Sequence, residues 1–317
     1  MTDCVIVQPI HEAGLRLLCD AGLSYRVAEN AGLATLEPHL ADARAVITRN
    51  AGFSAEAIAA SPKLRVIGSH GTGVDAIDLA AAQARGIVVV NTPGANAQSV
   101  AELAFALIFA CAKRIPAADQ AVRQGDFAFR YWSTTSELHG KVLGLVGFGR
   151  VARRMAALGR AFGMEVVAWS QHASAAEIER EGARPMATLN ELCANADILS
   201  LHTLPKGTLL FDVATFARLK PSAILVNTAR GALVDEAALV AALRSGQLAA
   251  AGLDVFDAEP PDARSPLFDA PNLVMTPHIG GSTQEALERT ACEVAQDVIS
   301  VLRGEHPANP VTSRAGA

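Results

Sequence analysis

The stretch LGLVGFGRVARRMAALGRAFGMEVVAWS, residues 143–170, decides the fold. A short apolar run enters Gly147-Phe148-Gly149-Arg150-Val151-Ala152, a helical pattern follows, and a second apolar run, EVVAW (165–169), closes the segment. This is the G-x-G-x-x-G/A spacing in the strand–turn–helix–strand setting that it requires. Gly147 permits the tight turn, Gly149 lets backbone approach a pyrophosphate, and Ala152 keeps helix and strand close. The N–H groups of Arg150 and Val151 then face the phosphates at the positive end of the helix dipole. The spacing predicts a dinucleotide site; the competing reading is a tight turn that binds nothing. Beyond the second strand stand Ser170, Gln171 and His172, where an NAD site usually places Asp or Glu on the ribose 2′-hydroxyl. No arginine stands there to grip a 2′-phosphate, so the choice between NAD and NADP stays open, and measurable use of NADP is expected.

The same alternation extends both ways along the chain. Apolar runs at 4–7, 44–48, 64–68, 86–90, 197–201, 223–227, 249–255 and 272–276 are separated by alanine-rich helical stretches, which predicts βαβ units and parallel sheets. The 317 residues exceed what one core usually organises, so two domains are expected. Two long helical patterns stand out. Residues 97–125 are apolar all round and interrupted at Pro116; residues 282–302 open with Ser282 and Glu285 at capping-box spacing. Half the residues are hydrophobic and 5% aromatic, and the net charge of −5 offers no basic field for nucleic acid or anionic lipid. The N-terminus lacks a basic leader and no run reaches the ~18 apolar residues of a membrane span, so a cytoplasmic protein is expected. Five scattered cysteines without metal-ligand spacing read as reduced, mostly core residues, and no metal site is expected.

Three groups follow later strands. ILVN (224–227) leads to Arg230, the run 249–255 leads to Glu259, and the run 272–276 leads to His278. If a dinucleotide lies across the carboxyl ends of the strands, all three share one rim with the nicotinamide. The chemistry that fits is hydride transfer to a 2-oxo acid. Arg230 can hold the carboxylate, His278 can donate the proton, and Glu259 can orient the imidazole and stabilise its charge. Taken singly they read as a structural ion pair, a solvated loop residue and a turn histidine; their joint placement favours the chemistry.

At GTGVDAIDL (71–79), NTPGANAQSVAEL (91–103), LVGFGRVA (145–152), LKPSAILVNTARGALVDEAAL (219–239), GLDVFDAEP (252–260) and TPHIGGSTQEA (276–286), the chain resembles the D-isomer-specific 2-hydroxyacid dehydrogenases. The resemblance spans nearly the whole chain. It implies two Rossmann-like or flavodoxin-like parallel-sheet domains, an NAD(P)-binding domain (99–282) inserted into a discontinuous substrate domain (1–98 plus 283–317). The long helical patterns become crossovers and the active site falls in the cleft. Arg230, Glu259 and His278 become the catalytic set. Val100, Ser170, Thr203, Pro205, Thr228, Asp254 and Gly280 join the glycine loop as coenzyme contacts, although Asp254 also reads as a turn or cap residue. The backbone of Thr72 and Gly73 is implied to hold the substrate carboxylate; its plain reading is a turn before a helix.

Phosphoglycerate dehydrogenases resemble 252–286 closely but tend to carry arginine where Ser69 stands, so a small unphosphorylated acid such as hydroxypyruvate or glyoxylate is expected. The alternative is 3-phosphoglycerate. Arg49 and His70 are left as possible sources of substrate charge, and as ordinary loop residues otherwise. A reading of another class is a dinucleotide-sensing protein like the family's corepressor relatives. The resemblance also implies a homodimer, with Phe129 and Trp132 of the arm 125–140 against a partner or folded back on their own subunit.

Overall fold

Two parallel sheets organise the chain, which is described here from a computed structural model over residues 2–205 and 209–311. The backbone divides into two units, Met1–Asn96 with Gly281–Ala317, and Ala97–Gly280. The breaks fall at 96/97 and 280/281, within two residues of the expected bounds. Residues 1 and 312–317, included in the expected lobes, lie outside the described residues.

The first unit holds β1 (Cys4–Ile6), β2 (Tyr25–Val27), β3 (Ala45–Thr48), β4 (Val66–Ser69) and β5 (Val88–Val90) in the order β2-β1-β3-β4-β5, all parallel. Its apolar runs split by strand period onto two cores. Val5, Val46, Ile67 and Val89 pack on one face; Cys4, Ile6, Ile47, Val66 and Val90 pack on the other. Helix Gln284–Arg303 covers the second face with Ala291, Val294, Ala295 and Val298. It lies so close to β4 that a Cβ on Gly68 would sit 2.6 Å from Val294. Burying each such valine contributes about 1.5–3 kcal/mol. The expected cap moves by one residue: Thr283, not Ser282, accepts from the Ala286 N–H at 3.2 Å.

The second unit holds β6 (Val142–Val146), β7 (Glu165–Trp169), β8 (Arg184–Pro185), β9 (Ile198–Leu201), β10 (Ile224–Asn227), β11 (Ala250–Leu253) and β12 (Leu273–Met275). Their order, β12-β11-β10-β9-β6-β7-β8, reverses direction between β6 and β9, and every pairing is parallel. Helix Ala97–Ala112 buries Ala101, Ala104, Leu107 and Ile108 on one face of this sheet. It ends before a left-handed Arg114 (φ 52°), and Pro116 stands in the first turn of the next helix, Ile115–Arg123.

Every apolar run became a strand. The two strands that composition did not reveal are β2, exposed at all three positions, and β8, two residues long at the sheet edge. Cys4, Cys111 and Cys193 are buried, and burial pushes the latter two thiols up to about 12; Cys19 is exposed and Cys292 half-buried. Among the described residues no helix is long and apolar enough to cross a membrane.

His70 follows β4, its side chain almost fully buried, and burial first, then the Arg49 charge, bring its pKa down to about 4. Folding therefore favours its neutral form, and between about pH 6.5 and 4 the unfolded chain binds the extra proton. Stability is lost as pH falls through that window. His70 should account for about 2 kcal/mol of the loss between pH 7 and 5. Urea unfolding of wild type and His70→Gln at both pH values checks this, and an equal pH-dependent loss in the two proteins would contradict it.

Candidate active site

At the end of β6 the chain turns through Gly147 (φ 93°), whose N–H donates to the Trp169 carbonyl at 2.8 Å. A Cβ at 147 would stand 2.5 Å from the His202 carbonyl oxygen, so glycine is required by both conformation and space. Gly149 caps helix Arg150–Ala161 with no side-chain acceptor, and nothing lies within 4 Å of the place its Cβ would take. Ala152 is fully buried beneath. An open approach to an uncapped twelve-residue helix, carrying its first-turn donors and dipole, fits a dinucleotide pyrophosphate. Beyond β7 the Ser170 hydroxyl accepts from the N–H groups of His172 (3.2 Å) and Ala173 (3.0 Å), closing its own turn without an acidic residue.

The arginine after β10 is placed by its neighbour. Buried Asn227 accepts from the Ala229 N–H at 3.0 Å and donates to the Arg230 carbonyl at 2.8 Å. The Arg230 guanidinium donates to the Ala229 carbonyl at 2.7 Å. At Gly231 the turn presses against the next strand end, where a Cβ would lie 1.9 Å from the Phe256 carbonyl carbon. The Phe256 N–H in turn donates to Glu259 Oε1 at 3.1 Å, and Glu259 Oε2 meets His278 Nδ1 at 2.6 Å. Arg230, Glu259 and His278 thus belong to one chain of contacts across the ends of β10, β11 and β12. With Nδ1 held by the carboxylate, Nε2 is the ring atom left to exchange a proton.

His278 itself adopts a left-handed backbone (φ 54°), an unusual conformation for a non-glycine residue. Asp254, just past β11 and buried, imposes it. Its Oδ1 accepts from the Thr276 hydroxyl (2.6 Å) and the Ile279 N–H (2.9 Å), and its Oδ2 from the Gly280 N–H (2.8 Å). The Ser99 hydroxyl donates to the Gly280 carbonyl at 2.6 Å, and Val100 packs where a Gly280 side chain would begin. Asn227, Thr276 and Ser99 carry no signal in the sequence beyond ordinary turn and helix composition. Thr203 and Pro205 follow β9 and Thr228 follows β10, all half-buried. Every candidate named for the second unit therefore lies at or around the carboxyl rim of its sheet, Val100 reaching it from the start of helix Ala97–Ala112.

Arg49, Thr72 and Gly73 belong to the first unit, at the carboxyl rim of its sheet. Arg49 donates from Nη1 to the Pro9 carbonyl at 3.0 Å. The carbonyls of Gly71, Thr72 and Gly73 accept from Thr92 N–H, Asn91 Nδ2 and Ser69 Oγ, respectively. Among the described residues the N–H groups of Thr72 and Gly73 donate to no other backbone group. Among the described residues no group of three or more His, Cys, Asp or Glu could hold a metal ion.

The family described as D-isomer specific 2-hydroxyacid dehydrogenase, NAD binding domain, matches residues 105–280. The chain is 37% identical over 314 residues, 98% of its length, to the D-3-phosphoglycerate dehydrogenase of Methanocaldococcus jannaschii, of which it spans 59%. Its fold matches the crystal structure of the TT0316 protein from Thermus thermophilus with a TM-score of 0.88 at 35% identity, covering 98% of this chain and all of that one. The NADPH-dependent glyoxylate/hydroxypyruvate reductase of Sinorhizobium meliloti matches with a TM-score of 0.87 at 28% identity, with 98% of each chain covered.

Proposed function

Because the chain belongs to the D-isomer-specific 2-hydroxyacid dehydrogenase family, we propose that it reduces a small 2-oxo acid to a D-2-hydroxy acid with a nicotinamide coenzyme. The observation that carries the reading is the His278–Glu259 pair, 2.6 Å apart, on the rim that also carries the glycine loop and Arg230. When bound, the reduced nicotinamide supplies the hydride that adds to C2 of the acid. Arg230 holds the substrate carboxylate and polarises the adjacent carbonyl by charge-assisted hydrogen bonds. His278 Nε2 gives its proton to the carbonyl oxygen as that oxygen becomes a hydroxyl, and Glu259 keeps the ring oriented. Oxidation of the alcohol runs the same transfers backwards. We assign the coenzyme to the second unit, with Val100, Ser170, Thr203, Pro205, Thr228 and Gly280 around the glycine loop, and the substrate carboxylate to Thr72 and Gly73, with Arg49 nearby.

The substrate we favour is unphosphorylated, of the hydroxypyruvate or glyoxylate type, as in the name of the Sinorhizobium reductase. The Ser69 hydroxyl supports this, being spent on the Gly73 carbonyl at 2.7 Å and not available to a phosphate. The name of the archaeal relative favours 3-phosphoglycerate instead. Oxidation of NADH and NADPH with hydroxypyruvate, glyoxylate, pyruvate and 3-phosphohydroxypyruvate decides between them. Hydroxypyruvate or glyoxylate should lead; 3-phosphohydroxypyruvate far ahead of both would reverse the assignment, and coenzyme binding without turnover would turn it toward a sensing protein. Because no carboxylate follows β7, the kcat/KM ratio between coenzymes should stay below ~1,000.

A cytoplasmic location and a homodimer complete the proposal. Phe129 and Trp132 stack edge-on at 4.7 Å, yet Trp132 remains 61% and Tyr131 77% exposed, an apolar arm suited to a second copy of the chain. Light scattering should give about twice the 33.0 kDa chain mass.

A further inference from the structure

The two N–H groups assigned above to the substrate carboxylate, those of Thr72 and Gly73, take their direction from the peptide planes they belong to. A trans peptide points its N–H opposite to the carbonyl that shares its plane. Whatever holds the Gly71 carbonyl therefore directs the Thr72 N–H, and whatever holds the Thr72 carbonyl directs the Gly73 N–H. Both holders stand just past β5. The Thr92 N–H donates to the Gly71 carbonyl at 3.0 Å, and Asn91 Nδ2 donates to the Thr72 carbonyl at 2.8 Å.

β5 is the outermost strand of its sheet, so one side of it has no parallel neighbour. Residues 309–311 fill that side. The Asn91 N–H donates to the Asn309 carbonyl at 3.2 Å, the Val311 N–H donates to the Val89 carbonyl at 2.8 Å, and Val90 faces Pro310 in an antiparallel bridge. Val90 and Pro310 form the non-hydrogen-bonded type of pair, in which the missing N–H of proline costs nothing. Asn91 is thereby held twice, by Asn309 through its backbone and by Thr72 through its side chain.

Two ladder bonds are a slight hold for so short a segment, and a buried carboxylate reinforces them. Asp297 is only 3% exposed and stands on the stripe of helix Gln284–Arg303 that buries Val294, Val298 and Val301. A carboxylate among valines is costly unless its oxygens are satisfied. Its Oδ1 accepts from the Ala308 N–H (2.6 Å), and its Oδ2 from the Asn309 N–H (3.1 Å) and Asn309 Nδ2 (3.0 Å).

We infer that Asp297 and Asn309 are positioning residues for the reaction: they fix Asn91, and through it the direction in which the 71–73 loop presents its N–H groups to the substrate. This rests on the assignment of the substrate carboxylate to Thr72 and Gly73. The order is Asp297, Asn309, Asn91, Thr72, and each step is a hydrogen bond within the first unit. Asp297 and Asn309 act on binding of the acid; hydride and proton transfer stay with the coenzyme and His278.

Steady-state kinetics with the leading 2-oxo acid test this on Asn91→Ala, Asp297→Asn and Asn309→Ala. Loss of one hydrogen bond at the loop predicts a KM about tenfold higher in Asn91→Ala, and about three- to tenfold higher in the two more distant variants. In all three, kcat and the NADH dissociation constant should stay within about twofold of wild type, because the defect is one of position. Asn309→Ala keeps the carboxylate and two of its donors, and carries the test if Asp297→Asn does not fold. Val301→Ala removes buried bulk from the same helix without touching these contacts; it should lower the thermal midpoint and leave KM in place. A KM raised as much by Val301→Ala would reduce the effect to stability and overturn the inference. A KM raised by Asn91→Ala alone also overturns it, while keeping the loop at the substrate. With wild type turning over, a KM unmoved in all the variants removes both the inference and the carboxylate assignment, and a wild type that reduces no 2-oxo acid removes the dehydrogenase reading with them.

Discussion

His278→Ala should lower kcat for 2-oxo acid reduction by about 10²–10⁴-fold, the range general acids supply. The loss should fall on kcat and kcat/KM together, because the proton is needed only as charge develops on the carbonyl oxygen. NADH binding should be unchanged, since the imidazole is held by Glu259 and its backbone by Asp254 rather than by the glycine loop. Glu259→Gln should cost less, keeping the 2.6 Å contact to Nδ1 as a neutral hydrogen bond while removing the negative charge beside the ring. Steady-state kinetics with the leading substrate measure both variants. A His278→Ala enzyme within tenfold of wild type would assign the proton to another group.

Gly231→Ala should reduce kcat/KM by about 100-fold, through position and not through chemistry. The added methyl would meet the carbonyl carbon of Phe256 at 1.9 Å and its oxygen at 2.0 Å, and these are backbone atoms that no rotamer change can clear. Either the turn after β10 lifts, carrying Arg230 away from its place, or the segment after β11 yields, and with it the Phe256 N–H that Glu259 accepts at 3.1 Å. Overpacking of this kind costs about 1–3 kcal/mol in stability. Thermal unfolding and substrate titration separate the effects: a lowered midpoint with a raised KM and intact NADH binding is expected. Wild-type activity would mean that Arg230 tolerates displacement and is not the carboxylate anchor.

Both predictions rest on features unequally legible in the sequence. The glycine loop could be read because its meaning is local: six consecutive residues between a strand and a helix carry the turn, the close approach and the dipole. Arg230, Glu259 and His278 could be read because each follows a short apolar run, and parallel strands bring such ends to one rim. What supports them was not readable. Asp254 meets Thr276 from 22 residues away and Ser99 meets Gly280 from 181 residues away, and neither pairing leaves a periodic or compositional trace. In the sequence Asp254 reads as a coenzyme contact or a turn residue, but a one-dimensional pattern does not reveal that its carboxylate spans three donors. Strand β2 escaped for the opposite reason, since an edge strand exposed at every position carries no apolar signal. The capping-box spacing points to Ser282 where Thr283 is the cap, because both residue types can cap and spacing alone does not choose between them.

The Asp254 anchor gives the two sets of candidate residues separate supports. The turn that carries His278 is fastened to β11, and the turn that carries Arg230 is pressed on the segment following the same strand, so one structural block of the second unit keeps Arg230, Glu259 and His278 in mutual alignment. The Thr72–Gly73 loop draws its own supports, Ser69, Asn91 and Thr92, entirely from the first unit. Substitutions around that loop are therefore expected to leave the His278–Glu259 contact in place, so that on the proposed assignment they alter binding of the acid and not transfer of the proton.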